Sequence, residues 1–311
     1  MLSFVVTYCD GTQIGIEDVL TVAMNSDVDV PADDLTITIP YAREITENAD
    51  FITAFLDEKL VFKGKIDEIV GIKTTDGAIT KIAARSPAAA LLDNEAEPLT
   101  YINPSADFIF NRHLKPFGFE EYDADDIPFF GTFKIDKGMT HWQVLRNFCI
   151  NRYRSEPRIT GTGKVLFRGI STANAVVFGT YKESYISIKE SKKRFKLITE
   201  VRLKLTSFGT YSGSIKNENP ECDGQKRVRF VNATADKTNI ETADDIIRQS
   251  NSDSYSVVLE CLGCRIENIG RPATIEDDLF GKLENLTVRK IRYTVGSDGE
   301  KTTVTLGKER F

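Results

Sequence analysis

Gly64-Lys-Ile-Asp-Glu-Ile-Val-Gly-Ile-Lys-Thr-Thr-Asp-Gly-Ala-Ile-Thr-Lys-Ile-Ala-Ala-Arg85 reads as two strands joined by a tight turn. Residues 60–69 are rich in β-branched and aromatic side chains, and 79–84 resume that character. Between them Thr75-Asp76-Gly77 supplies the positive-φ chemistry that a short hairpin connection needs. The stretch from Arg289-Lys290-Ile291 to Arg310 can be laid beside it by pattern, with Gly296-Ser-Asp-Gly299 as its turn and 302–306 as its closing strand. Each is preceded by a short helix and a long strand, so the chain reads as two loose copies of one β plan.

The flanks agree with that plan. Leu35, Ile37 and Ile39 alternate with Thr36 and Thr38 up to Pro40, a period of two that puts the aliphatics on one face of a strand. Residues 3–8 predict another strand, and 49–56 a short helix between strands. In the second copy Val201, Leu203 and Leu205 alternate with Arg202 and Lys204, and Val257, Leu259 and Cys261 fill one face of a later strand. Residues 242–249 predict a lone capped helix. Leu286 and Val288 keep one phase while Ile291, Tyr293 and Val295 keep the other, so Arg289-Lys290 predicts a β-bulge.

The middle of the chain differs. Ser86-Pro87 predicts a helix start continuing through 88–92, Ser105 a cap for a helix ended by Pro116 and Gly118, and Thr140-His-Trp-Gln143 a capping box. Trp142, Leu145, Phe148 and Cys149 then recur at helical spacing. The fold expected is mainly β with an α/β insert: barrel-like domains at 1–92 and 175–311, with a small α/β region at 93–174.

A length of 311 residues calls for two or three domains, burying roughly three quarters of the surface of the extended chain. The balance of 40 Lys and Arg against 46 Asp and Glu gives a net charge of -6, which argues against a nucleic-acid-binding surface, since neutralising phosphates requires clustered Lys and Arg. No N-terminal segment has the layout of a secretory signal, and no apolar stretch is long enough to cross a bilayer, so synthesis and retention in a cytoplasm are expected. The five cysteines are odd in number and scattered, which reads as reduced thiols.

Arg85-Ser-Pro-Ala-Ala-Ala-Leu-Leu-Asp-Asn-Glu-Ala-Glu-Pro98, preceded by Phe62-Lys-Gly-Lys-Ile-Asp-Glu68, resembles the baseplate hub proteins of PBSX-like contractile phage tails. Gly138-Met-Thr-His-Trp-Gln-Val-Leu-Arg-Asn-Phe-Cys149 looks like the helix of that family's inserted domain. The resemblance implies two tube-like β-barrel domains joined by a small α/β region and assembled as a homotrimer. Related folds are those of late-control D-type phage proteins and of the hub part of VgrG proteins. Such a trimer adapts a six-fold tail tube to a three-fold spike, and two matching barrels per subunit would supply the symmetry match.

The partners implied are the tail tube protein, the central spike protein, and the baseplate wedge and tape-measure proteins. The implied location is the baseplate of a virion or tail-like particle assembled in the bacterial cytoplasm. An R-type bacteriocin would carry the same chain as an intact phage. VgrG-type chains continue into a β-helical spike whereas this one stops at Phe311, so a spike and any wall-degrading domain are expected on other polypeptides.

No catalytic, cofactor-binding or metal-binding residue is assigned. Cys261-Leu-Gly-Cys264 has C-x-x-C form, but no second pair follows, and an odd separation along a strand places the two sulfurs on opposite faces. His113, near a helix end, and His141, in an exposed first turn, lie in no nucleophile motif. Glu120, Glu121, Asp123, Asp125 and Asp126 form a dense cluster without the ligand spacing of an EF-hand, and read as a solvated loop.

Gly161-Thr-Gly163-Lys164 lacks Walker spacing and reads as a hairpin turn. The basic run 189–196 reads as a solvated flank or, alternatively, a patch for an acidic partner. Residues 207–227 predict a long loop that reaches a neighbour or stays flexible. Two rival functions carry different tests. A tail-associated peptidoglycan hydrolase using Glu120 and Asp123 would clear cell wall on a zymogram, and a host- or glycan-binding module would bind cells saturably.

Overall fold

The computed structural model describes residues 2–125, 130–161, 163–170, 175–180, 182–204, 209–232 and 243–308. Strand outweighs helix, 50% against 19%, and antiparallel pairing dominates, so the chain is mainly β with small helical regions. Contacts divide it into two units. Unit one is Met1–Ser171 with Glu260–Gly270 and Arg289–Val304, and unit two is Thr172–Leu259 with Arg271–Val288 and Thr305–Phe311.

In unit one, strand Leu2–Tyr8 pairs with Gln13–Ile16 and Ala49–Leu56, and Ala49–Leu56 pairs with Lys59–Thr74. Lys59–Thr74 folds back on Gly77–Arg85, which pairs with Val30–Pro40 and through it with Thr21–Asp27. The late segment 290–295 then adds to the free side of Thr21–Asp27. Leu35, Ile37 and Ile39 are buried while Thr36 and Thr38 are half-exposed, so the period of two sets the inner face.

Residues 49–56 are a strand, not the helix expected from sequence; the helix is the shorter Arg43–Asn48 just before it. The reason is periodicity: Ile52 and Ala54 are buried on one face while Phe51, Thr53 and Phe55 alternate with them, which a helix cannot sustain. The turn after Thr74 forms at Thr75-Asp76, with Gly77 at φ +141° as the hairpin requires. A register shift between Ile66 and Glu68 puts a bulge at Asp67.

The insert of unit one is built on two capped helices. Helix Ala106–His113 is capped by Ser105, whose Oγ accepts from the Phe108 N–H at 3.0 Å, and the chain leaves through the 3-10 turn Lys115–Phe117. Helix His141–Tyr153 carries the full capping box: the Gln143 N–H donates to Thr140 Oγ1 at 3.2 Å and the Thr140 N–H to Gln143 Oε1 at 2.8 Å. Its buried face, Trp142, Val144, Leu145, Phe148 and Cys149, packs with Phe133 and Phe167.

The helix after Pro87 is Ala89–Asp93, but Ser86 does not cap it. Its hydroxyl accepts from the Asp33 N–H at 3.1 Å, and the Ser86 carbonyl closes the first turn by accepting from the Ala89 N–H. Strands Arg158–Ile159 and Val165–Leu166 form the expected hairpin around Gly163, at φ +88°, with residue 162 outside the described residues.

In unit two, strand Val176–Gly179 lies parallel to Pro272–Asp277, which pairs antiparallel with 281–287. A three-stranded sheet sets Glu200–Lys204 between Gly213–Lys216 and Val228–Asn232. Val201 and Leu203 pack against Ala243, Ile246 and Ile247 of helix Ala243–Asp253. Leu205 and Thr242 lie outside the described residues.

The expected long loop 207–227 is corrected here: Gly213–Lys216 is a strand, Pro220–Cys222 is a 3-10 turn, and Asn217 Nδ2 donates to the Ile198 carbonyl and to Asn251, each at 2.8 Å. Residues 207 and 208 lie outside the described residues.

The two copies share one strand order. Val30–Pro40, Gly77–Arg85, Lys59–Thr74 and Ala49–Leu56 are successive neighbours, and so are Tyr255–Leu262, Gly299–Lys308, Gly281–Gly296 and Pro272–Asp277. Chain order also matches: strand, short helical turn (Arg43–Asn48 or Ile266–Asn268), strand, a strand of 16 residues, a two-residue turn, closing strand. In Gly281–Gly296 burial changes phase between Val288 and Ile291, where Arg289-Lys290 was expected to interrupt the alternation.

Candidate functional site

The sequence-flagged chemistry is dispersed. Cys261 is buried near the end of strand Tyr255–Leu262, Gly263 at φ +74° carries the chain off that strand, and Cys264 follows half-buried. The two sulfurs are therefore separated by a turn rather than by opposite faces of one strand. Burial pushes the Cys264 thiol up, away from the thiolate that nucleophilic or metal chemistry needs. Glu120, Glu121, Asp123 and Asp125 are exposed, Asp125 pairs with Arg168 at 2.7 Å, and Asp126 lies outside the described residues. Among the described residues no three His, Cys, Asp or Glu side chains group as metal ligands.

The histidines come together, which sequence reasoning missed. His113 is buried at the C-terminal end of its helix, and its Nδ1 lies 3.0 Å from His141 Nδ1 at the start of the next. Its other nitrogen, Nε2, lies 3.2 Å from the Tyr101 hydroxyl, and Phe117 packs edge-on to His141 at 4.7 Å. Burial first, then the His141 ring, then Arg112 hold the His113 imidazole down at about 4, and burial lowers His141 as well. His141 is half-buried, not exposed as expected. One proton between two Nδ1 atoms satisfies both rings when both are neutral, so the pair ties two helices together.

Two arginines organise the surroundings of the family-like stretch. Arg85, at the end of Gly77–Arg85, reaches Asp67 at the bulge (2.6 Å) and Asp93 at the end of the following helix (2.8 Å). These hydrogen bonds hold the Asp93 carboxyl below the usual carboxylate range. Arg158 from the insert donates to Ser26 Oγ (2.8 Å), to Asp33 Oδ1 (2.9 Å) and to the Asp27 carbonyl (3.0 Å), and only 6% of it is exposed. Arg85 opens the family-like stretch 85–98. Arg158 had no local signal, because Asp33 is 125 residues away.

Among the described residues each unit has a cleft open to solvent. In unit one a cleft of about 690 Å³ has an apolar floor that includes Phe4, Val22 and Val295, with Arg265 and Glu300 at its polar side. The Tyr293 hydroxyl donates to Glu300 at 2.7 Å, and burial with that carboxylate raises the phenol. In unit two a cleft of about 290 Å³ gathers part of the basic run, Lys192, Lys193 and Arg194, with Lys282 and Lys308. Arg194 pairs with Glu221, Lys282 with Glu284, and Lys308 sits 5.2 Å over the Tyr255 ring. Burial and Glu190 push the Tyr255 phenol up to about 12. Neither cleft brings an acid, base and nucleophile into one constellation.

No protein-family model matches the sequence. No curated protein matches it either. Solved structures do. A tail protein from Neisseria meningitidis MC58 superposes with a TM-score of 0.79 at 16% identity, over 99% of this chain and 97% of that one. A 43 kDa tail protein of prophage MuSo2 from Shewanella oneidensis gives 0.77 at 13% identity, over 99% and 98%. The E. coli c3393 protein is described as a type VI secretion component structurally similar to the T4 bacteriophage tail proteins gp27 and gp5. It gives 0.54 at 10% identity, over 94% of this chain and 74% of that one. At these identities the fold is what is shared: from end to end, this chain has the fold of phage tail proteins.

Proposed function

We propose that the protein is the structural hub of a contractile-tail baseplate, working through surfaces rather than catalysis. Three copies would form a ring that adapts the six-fold tail tube to the three-fold spike. The observation that carries this reading is the full-length match to tail proteins, 99% of this chain against 97% and 98% of theirs. The repeated strand order supports it, because a subunit with two equivalent β regions offers a trimer six similar positions.

On this reading residues 1–92 and 175–311 are the tube-like domains and 93–174 the α/β region between them. The tube protein would meet one rim and the spike the other, with wedge and tape-measure proteins around them, in the baseplate of a virion or a bacteriocin-like particle. Trimer interfaces of an obligate assembly bury on the order of 2,000 Å² or more. Native mass spectrometry of the whole protein is expected to give a trimer that recruits a trimeric spike. A monomer at every concentration, with or without spike protein, refutes the reading.

A further inference from the structure

The chain's charge is unevenly divided. Unit one carries 22 Lys and Arg against 30 Asp and Glu, a net -8, whereas unit two carries 18 against 16, a net +2. Two features left unexplained by the fold carry that contrast outward. In the cleft of unit two, Lys192 and Lys193 are exposed and take part in no ion pair among the described residues, and the neighbouring Phe195 is 64% exposed. In unit one, Glu120, Glu121 and Asp123 are exposed and likewise in no ion pair among the described residues.

Several neighbouring charges are already neutralised within the chain, Arg194 by Glu221, Lys282 by Glu284 and Arg168 by Asp125, which leaves Lys192 and Lys193 on one side and Glu120, Glu121 and Asp123 on the other to meet an outside charge. Opposite charges on two such surfaces, with the exposed Phe195 ring beside the lysines, are complementary in the sense that orients two proteins on encounter.

We propose that Lys192 and Lys193, at the cleft of unit two that Glu190, Glu221 and Glu284 also line, receive the acidic stretch 120–123 of a second copy of this chain. The occupant is a second copy because the complementary charge is carried by the chain itself, on the other unit. A cleft on one unit meeting a different patch on another copy is a heterologous contact, the kind that closes a ring of three rather than a two-fold pair. The contact deepens the hub reading and rests on the trimer that reading proposes. Opposite charges on the two surfaces would also speed and orient encounter, and salt would weaken that effect because screening acts over about 10 Å at 0.1 M.

The test uses the full chain and sedimentation velocity over a range of protein and salt concentrations. Lys192→Glu with Lys193→Glu is expected to raise the trimer dissociation midpoint by about tenfold or more, with circular dichroism unchanged, because attraction at a rim becomes repulsion. Glu120→Lys, Glu121→Lys and Asp123→Lys together are expected to do the same, and a chain carrying all five changes is expected to recover most of the loss. A wild-type trimer that either reversal leaves intact, or whose combined variant fails to recover, overturns the contact while leaving the trimer standing. A wild-type chain that never assembles overturns the hub reading itself.

Discussion

His113 is held neutral by its surroundings, and that has a measurable consequence. Its ring is 2% exposed and titrates at about 4, against an ordinary 6.5. Between those values the unfolded chain takes up a proton that the folded chain refuses, so stability is fully present above pH about 6.5 and falls as pH drops toward 4. The loss is on the order of 3 kcal/mol across that window, and His141, lowered for the same reason, acts in the same direction. Urea midpoints of the wild type should therefore fall more steeply from pH 7 to pH 4.5 than those of His113→Gln, and parallel profiles would show that the imidazole pair is not the source. Neither this pair nor the Arg158–Asp33 contact was legible beforehand. His113 and His141 are 28 residues apart and Arg158 and Asp33 are 125, and such contacts exist only once the insert has packed on its strands. The Ser105 cap and the Thr140–Gln143 box could be read because they depend on neighbours three residues away, whereas the same local signal failed at Ser86, whose hydroxyl is taken by the Asp33 N–H, 53 residues distant.

The long hairpin of unit one depends on a close approach at Gly64. A Cβ there would stand 2.5 Å from Phe62 Cζ and 2.6 Å from the Arg85 carbonyl oxygen, and both neighbours are fixed, one as a buried ring and one as backbone. Gly64→Ala is expected to cost about 1–3 kcal/mol or more through overpacking. Gly71→Ala, on the same strand, would meet only the half-exposed Tyr41 ring at 3.1 Å, and should stay within about 0.5 kcal/mol of wild type. Equal melting shifts for the two variants would mean that the contact at Gly64 is not tight. Element type followed from period where strands were long enough to show one, as at 35–39. It failed at two places with a common cause. Residues 49–56 have alanine and leucine at their ends, which masked an alternation only three pairs long. The strand Gly213–Lys216 has only four residues, one of them a glycine, too few for any period to declare itself.

At the scale of the chain, the repeat could be seen as a pattern of turns and strand lengths, but the manner in which the copies interleave could not. Unit one is completed by residues 260–270 and 289–304, from the far end of the sequence, because the strand Gly281–Gly296 gives its first half to Pro272–Asp277 and its second to Thr21–Asp27. No local feature announces this, since the only mark it leaves is the change of burial phase at Arg289-Lys290. The arrangement makes a specific demand on folding. A fragment of residues 1–171 keeps the early strands of its unit, yet it lacks the parts of Tyr255–Leu262, Gly281–Gly296 and Gly299–Lys308 that belong to the unit, and with them the late partner of Thr21–Asp27 and the buried side chains Ile291 and Tyr293. The fragment would carry an open strand edge flanked by uncovered apolar surface, the combination that drives edge-to-edge association. It is therefore expected to melt well below the intact chain, without a sharp transition, and to bind a hydrophobic dye that the whole protein excludes. A fragment that melts cooperatively at the midpoint of the full protein would mean that unit one is finished before its late strands arrive, and that the interleaving adds nothing to its stability.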